Sequence, residues 1–183
     1  MEACYLIKKP LTKDEAGKLP DPNIDIPPGY TRIDAHAFDR RDEITSVIIP
    51  NSVKAIGMYA FRDCKKLESI TIPDGVDTIE TSTFFNCVSL AEVNLPNSVK
   101  SIEFHAFFGC MALITIKIPD GVTIIREEAF MGCTGLREIT IPDSVKKIEI
   151  NALGKHKHLT IHCSKNSYAH IYAEENGNSV KLV

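Results

Sequence analysis

The chain has 183 residues, 44% hydrophobic and 25% charged, with a net charge of −3 at pH 7. That is the composition of a globular chain of one domain or a short array. It offers no electrostatic case for nucleic acid or an anionic membrane, and no apolar run reaches the 18 residues of a spanning helix.

The opening, MEACYLIKKPLTKDE, is too briefly apolar and too acidic for a signal peptide. On that ground the chain is cytoplasmic, or it is a mature segment behind an added Met. Next, KLPDPNID is a Pro/Asp-rich lead-in with no period, so residues 1–25 are read as an N-terminal cap.

From Ile26 onward the chain repeats. Pro27, Pro50, Pro73, Pro96, Pro119 and Pro142 are 23 residues apart. Phe38, Phe61, Phe84, Phe107 and Phe130 keep the same step, as do Cys64, Cys87, Cys110 and Cys133. Ile44, Leu67, Leu90, Leu113 and Leu136 form a further column. A fixed period of this length is the mark of a solenoid, in which stacked units bury a stripe that one unit cannot bury alone.

Within each unit, segments such as Ile70-Thr71-Ile72, Val93-Asn94-Leu95 and Ile116-Lys117-Ile118 read as short strands. Stacked in parallel, they would lie about 4.8 Å apart. Proline has no N–H and ends each strand at the same point. A turn pair follows: Asn51-Ser52, Asp74-Gly75, Asn97-Ser98, Asp120-Gly121, Asp143-Ser144. Ser and Gly alternate here, which points to a two-coil unit, and Ser argues against an obligatory positive φ. A second extended piece follows, as in Val76 to Ile79. Ala-Phe-x-x-Cys then suits a short helical turn with Phe and Cys inward.

The ends depart from the template. IPPGYTRIDAHAFDRRDEI carries Arg41 where later coils carry Cys, as suits a charged terminal repeat. In the last coil, Leu153 replaces Phe, His156 replaces Cys, and Leu159-Thr160-Ile161 arrives two residues early. Ser167 reads as the N-cap of a helix over YAHIYAEEN, with Gly177 as its C′ residue. Tyr168, Ile171 and Tyr172 would dock on the open core, and Val180-Lys181-Leu182 reads as a last strand.

The motifs I-x-I-P, V-x-x-I and A-F-x-x-C, as in ITIPDGVDTIETSTFFNC, resemble those of the BspA-like, or treponemal-type, leucine-rich repeats. The resemblance covers about Ile26 to Cys163. It implies an α/β repeat solenoid: a right-handed leucine-rich-repeat solenoid with short parallel strands, about six 23-residue coils and short helical turns. It divides the chain into a lead-in at 1–25, the solenoid at 26–163 and a helix–strand cap at 164–183. It also implies a protein-binding module for adhesion at a cell surface, or a secreted one, with a host matrix or cell-surface protein as ligand. The alternative is an intracellular scaffold or a structural spacer domain of a larger protein. The family has no shared catalytic residues.

The cysteine column reads as buried, reduced thiols. Equivalent side chains of stacked coils point the same way, which keeps neighbouring Cβ atoms too far apart for a disulfide. The four lie along a line, which does not suit a metal. In KHKHLTIHC, strand alternation puts His162 and Cys163 on opposite faces, and His156 and His158 read as a solvated cap. His36 and His105 fall in a variable column and are expected to be exposed. Cys4 and Cys163 lie outside the cysteine column, with no base placed beside them. The sequence has no G-x-S-x-G, H-E-x-x-H, Walker or G-x-G-x-x-G motif. It is therefore read as non-enzymatic, with no cofactor and no metal.

Two surfaces could hold a partner. The strand face presents Ser46, Ser69, Glu92, Thr115 and Glu138 in one column, and Ile48, Thr71, Asn94, Lys117 and Thr140 in the next. It is either a binding face or a solvated sheet. On the other side, the column after the core Phe reads Asp39, Arg62, Phe85, Phe108, Met131. The column three further on reads Asp42, Lys65, Val88, Met111, Thr134. Phe85, Phe108, Met131, Val88 and Met111 should therefore be neighbours. They are either packed partly under the next coil or a contact patch for a protein. In the second case the chain is a monomer or associates weakly with itself through Phe85 and Phe108.

Overall fold

Stacking units of one length puts equivalent residues side by side, and the backbone pairing follows that rule. The computed structural model describes residues 9–156 and 158–183. The chain winds through about eight turns of roughly 23 residues with little helix. One column of parallel strands runs Asn23–Asp25, Ser46–Ile48, Ser69–Thr71, Glu92–Asn94, Thr115–Lys117, Glu138–Thr140, Thr160–Cys163 and Ser179–Leu182. The second runs Lys9–Leu11, Tyr30–Ile33, Ala55–Ile56, Thr78–Ile79, Ser101–Ile102, Ile124–Ile125 and Lys147–Ile148. Registers step by 23, as in Ile70 against Val93 and Ile124 against Ser101.

The lead-in holds more structure than its sequence suggests. Lys9–Leu11 pairs with Tyr30–Ile33, and Asn23–Asp25 pairs with Ser46–Ile48. Between them α1, Lys13–Ala16, is closed by a capping box of Thr12 and Glu15. Leu11, Ala16 and Ile24 are buried, so residues 9–25 complete a coil that lacks the template. Arg41 ties it down. Its guanidinium donates to the carbonyls of Ala16 (2.6 Å) and Leu19 (2.9 Å) and to Asp21 Oδ1 (2.6 Å).

The core is a set of columns. The rings of Phe38, Phe61, Phe84, Phe107 and Phe130 stack with centroids 5.1 to 5.5 Å apart and are fully buried. Beside them each cysteine donates its S–H to the carbonyl of the phenylalanine one coil back. Cys64 reaches Phe38 at 3.2 Å, Cys87 Phe61 at 3.1 Å, Cys110 Phe84 at 3.2 Å and Cys133 Phe107 at 3.0 Å. These thiols and Cys163 are free and buried. Cys4 lies outside the described residues.

Burial pushes the Cys64 thiol up to about 12 and holds those of Cys87 and Cys110 well above the ordinary range. At neutral pH the reactive thiolate of Cys64 is thus strongly suppressed against an ordinary thiol. Iodoacetamide followed by peptide mass spectrometry should therefore leave Cys64, Cys87, Cys110, Cys133 and Cys163 unlabelled in the native protein and label all five in denaturant. Native labelling at these positions would mean that the coils open.

The Ala-Phe-x-x-Cys segment is a pair of tight i→i+3 turns, such as Ala60 N to Gly57 O and Cys64 N to Phe61 O, both 3.2 Å. Its other N–H groups cannot close a helix because they donate to the next coil, as Phe84 N does to Ala106 O at 2.9 Å. Among the described residues, helix is confined to α1 and to α2, Tyr168–Asn176. Ser167 caps α2 by accepting from His170 N, and Gly177 ends it at φ 67°. The docking face of α2 differs from expectation. Ala169 and Ala173 are buried and Tyr172 half-buried, while Tyr168 and Ile171 point outward. Small side chains let the helix lie close to the last coil, which larger ones would hold off.

The Ser/Gly alternation has a structural counterpart. Position 29 extends it: Gly29, Ser52, Gly75, Ser98, Gly121, Ser144. At each Gly-to-Ser step the strand gives one more bond to the next coil: Ile26 N to Ile48 O (3.1 Å), Ile72 N to Asn94 O (2.9 Å), Ile118 N to Thr140 O (2.9 Å). At the Ser-to-Gly steps, Ile49 N and Leu95 N make no such bond. At the second of these the strand pairing stops altogether, between Glu92–Asn94 and Thr115–Lys117. Val93 and Leu95 are half-buried there, unlike Ile70, Ile72, Ile116 and Ile118. The turn side is pinched instead: a Cβ on Gly121 would sit 2.5 Å from the Asn97 carbonyl oxygen. Only Gly75 among the turn residues at 52, 75, 98, 121 and 144 has positive φ, so that conformation is not obligatory.

Candidate functional site

The side of the solenoid carrying the tight turns is built on repeated left-handed residues. The residue before the Ala column has positive φ in every coil: His36, Tyr59, Ser82, His105, Glu128 and Asn151 lie between 53° and 60°. A left-handed residue costs roughly 1–2 kcal/mol when it is not Gly. Bonds between coils offset this cost, including Tyr59 N to Thr81 O (3.1 Å) and Ser82 N to Phe104 O (3.0 Å). Four residues later the chain is left-handed again, at Arg40, Asp63, Asn86, Gly109 and Gly132. The two reversals bracket the buried Phe and leave the next residue outside it. Phe84 and Phe85 therefore diverge, as do Phe107 and Phe108.

The outer columns form a ridge with two parts. The first two coils are charged. Arg62 grips Asp39 with Nε to Oδ1 at 2.8 Å and Nη2 to Oδ2 at 2.9 Å, and His36 Nδ1 lies 3.2 Å from Asp39 Oδ2. Burial alone would raise the Asp39 carboxyl; the bonds from Arg62 and His36 outweigh it and hold the group below its usual range. His36 stacks on Tyr59 at 4.8 Å.

The next coils are aromatic. Phe85 and Phe108 stack with centroids 4.8 Å apart and planes 7° from parallel. His105 meets Phe108 edge-on at 4.8 Å and stacks on Phe104 at 3.6 Å. Its Nε2 is 2.7 Å from Glu128 Oε2. Phe85, Phe108 and Val88 are half-buried, whereas Phe104 (40%), Met131 (38%) and Met111 (51%) are exposed. The five expected ridge residues thus sit on adjacent turns, partly packed and partly open. His105 is not the free side chain expected of a variable position, and Phe104 is a ridge residue that the column pattern does not predict. The signal for it is the run Phe104-His105-Ala106-Phe107-Phe108, in which a ring precedes the left-handed residue.

The strand face is different. Ser69, Thr71, Glu92, Asn94, Thr115, Lys117 and Glu138 are exposed and Thr140 is half-buried, with no aromatic among them. Asn94 donates to Glu92 Oε1 at 2.9 Å. The break in the sheet opens a cavity of about 390 Å³ lined by Glu92, Asn94, Thr115 and Lys117 among others. His156, His158, His162 and Cys163 are not brought together. His156 faces the Phe130 carbonyl at 3.4 Å in place of the column cysteine, and burial lowers its pKa. His158 is exposed, His162 lies 3.4 Å from Glu138, and Cys163 is buried. Among the described residues no group of three or more His, Cys, Asp or Glu could hold a metal ion. No helix among them is long and apolar enough to cross a membrane.

Residues 31–160 match six copies of the BspA type Leucine rich repeat region. The chain is similar to the leucine-rich repeat protein of T. pallidum, with TM-score 0.75 and 24% identity over 87% of this chain and 85% of that one. It is also similar to the pneumococcal vaccine antigen PcpA (TM-score 0.58, 22% identity, 73% of this chain and 40% of that one). A leucine-rich repeat protein from Bacteroides ovatus gives TM-score 0.53 and 21% identity over 87% of this chain and 59% of that one. The chain thus spans less than two thirds of each of the latter two. No curated protein matches it.

Proposed function

The chain belongs to the BspA-type leucine-rich repeat family, a fold suited to protein interaction, and from that premise we propose that it is a non-enzymatic binding module whose ridge holds a protein partner. The observation that carries this reading is the stacked Phe85–Phe108 pair, with Met111 and Met131 exposed beside it. Aromatic and methionine side chains are the residues enriched at the centre of interfaces, and charged ones form the rim. The ion pairs of Asp39, Arg62, Asp63 and Lys65 flank the patch as such a rim would. The strand face, small and polar, has no comparable anchor.

The finer reading is adhesion at a cell surface, with a host matrix protein as ligand; it rests on the membership of the BspA-type family. The test is surface plasmon resonance of the chain against purified host matrix proteins, together with fractionation of the native cells. The expected result is that one matrix protein binds, that Phe85→Ser with Phe108→Ser weakens it at least tenfold, and that the native protein fractionates with the surface. A native protein found only in the cytosol, binding no matrix protein, would assign the chain to an intracellular scaffold instead.

A further inference from the structure

Phe104 is the most exposed aromatic ring of the ridge, and it is already fixed in place. One face lies on His105 at 3.6 Å. His105 is held in turn by Glu128 at 2.7 Å and by the edge contact with Phe108. Such a ring can accept a partner group on its open side at little cost in side-chain ordering.

The charge around Phe104 is unbalanced. Glu103 is met by Arg126 at 3.4 Å, and Glu149 by Arg126 at 3.2 Å and Lys147 at 2.8 Å. Glu128 is met by His105. Glu127 and Glu80 have no cationic partner among the described residues. Glu127 holds the place of Phe104 one coil on, and its carbonyl accepts from His105 N at 3.4 Å. Glu80 lies one coil back, beneath Glu103 in the stack. Burial, and then the charge of Glu103, raise its carboxyl above the usual range. With Glu127 and Glu80 both unpaired among the described residues, the site carries more carboxylates than cations to meet them. A ring face beside surplus carboxylate is the arrangement that draws a guanidinium or ammonium group.

We infer that the ridge receives a basic stretch of its protein partner, with an arginine or lysine side chain laid over the open face of Phe104 and its charge met by Glu127 and Glu80. This rests on the reading of the ridge as the binding face and specifies the chemistry it accepts. The planar guanidinium of arginine suits the ring better than an ammonium does.

The experiment uses the full chain labelled with ¹⁵N and two octapeptides. One alternates glycine with arginine; the other carries citrulline in place of each arginine. The arginine peptide should shift the amides of 103–105 and 127–128, and the citrulline peptide should not. Phe104→Leu should weaken the arginine peptide about tenfold, and Glu127→Gln about threefold, in variants whose circular dichroism matches the wild type. Equal binding of the citrulline peptide, or an unchanged affinity in Phe104→Leu, overturns the inference. So do shifts that grow with chain concentration alone, since they would place a second copy on the patch. The two levels fail separately. If Phe85→Ser with Phe108→Ser abolishes matrix-protein binding while Phe104→Leu and Glu127→Gln leave it intact, the basic partner is wrong and the ridge stands. If no ridge substitution changes that binding, both fall.

Discussion

Phe107→Ala is expected to cost about 3–5 kcal/mol, the range for removing a fully buried ring. Phe107 stacks between Phe84 at 5.3 Å and Phe130 at 5.1 Å, and its carbonyl accepts the Cys133 thiol. Removal leaves a void in a column whose neighbours are held by hydrogen bonds between coils, such as Phe107 N to Ala129 O at 2.8 Å, so collapse is limited. The adjacent residue behaves otherwise. Phe108→Ser loses a half-buried ring and its stack with Phe85, and should cost only about 1–2 kcal/mol. The comparison is made by urea unfolding, read as a shift of midpoint at constant slope. Equal costs for the two would mean that the ridge is core, and the binding reading would lose its anchor.

Gly135→Ala is expected to destabilise by about 1–3 kcal/mol, the usual cost of forcing atoms into a closed space. A Cβ there would stand 2.2 Å from the Met111 carbonyl oxygen and 3.2 Å from that of Leu113. Both obstacles are backbone of the preceding coil and neither can swing away. The crowding must exceed the roughly 0.4–1 kcal/mol that alanine gains by restricting the unfolded chain. Gly57→Ala should behave alike, its Cβ meeting Ala35 N at 2.5 Å. Gly177→Ala is the control. It has nothing within 4 Å and loses only the ease of its left-handed φ, so about 1 kcal/mol is expected. Thermal unfolding of the three variants checks this, and a stabilised Gly135→Ala would contradict the close approach of the coils.

These contrasts locate what the sequence reveals and what it hides. The period and the identity of the core columns are plain in it, because each coil buries the same positions against the same neighbours. The partition of Phe84 from Phe85 is also legible, since only one of them keeps the column with Phe61 and Phe107. The coil at residues 9–25 is not: Leu11 and Ile24 fill core places without the template, and only their pairing with Tyr30–Ile33 and Ser46–Ile48 shows it. The docking face of α2 is hidden for the same reason. The outward Tyr168 and Ile171 are as apolar as the inward Ala169 and Ala173, and the choice between them depends on how closely the last coil can be approached.

The Ser/Gly alternation was visible, but its consequence was not. The parting of the sheet between Asn94 and Thr115 is a property of two coils together, with Gly121 admitting the carbonyls of Asn97 and Val99. Phe104 and His105 were hidden because each occupies a variable column. Their stack, and the hold of Glu128 on His105, come from the left-handed residues that set the angle of every turn.

On the proposed reading the ridge, and not the strand face, meets the partner. Hydrogen–deuterium exchange of the full chain, free and bound to the matrix protein identified by surface plasmon resonance, distinguishes the two faces. Protection is expected over 81–88, 104–111 and 127–134, with the strands at 69–71, 92–94, 115–117 and 138–140 unchanged. Protection confined to those strands would contradict it.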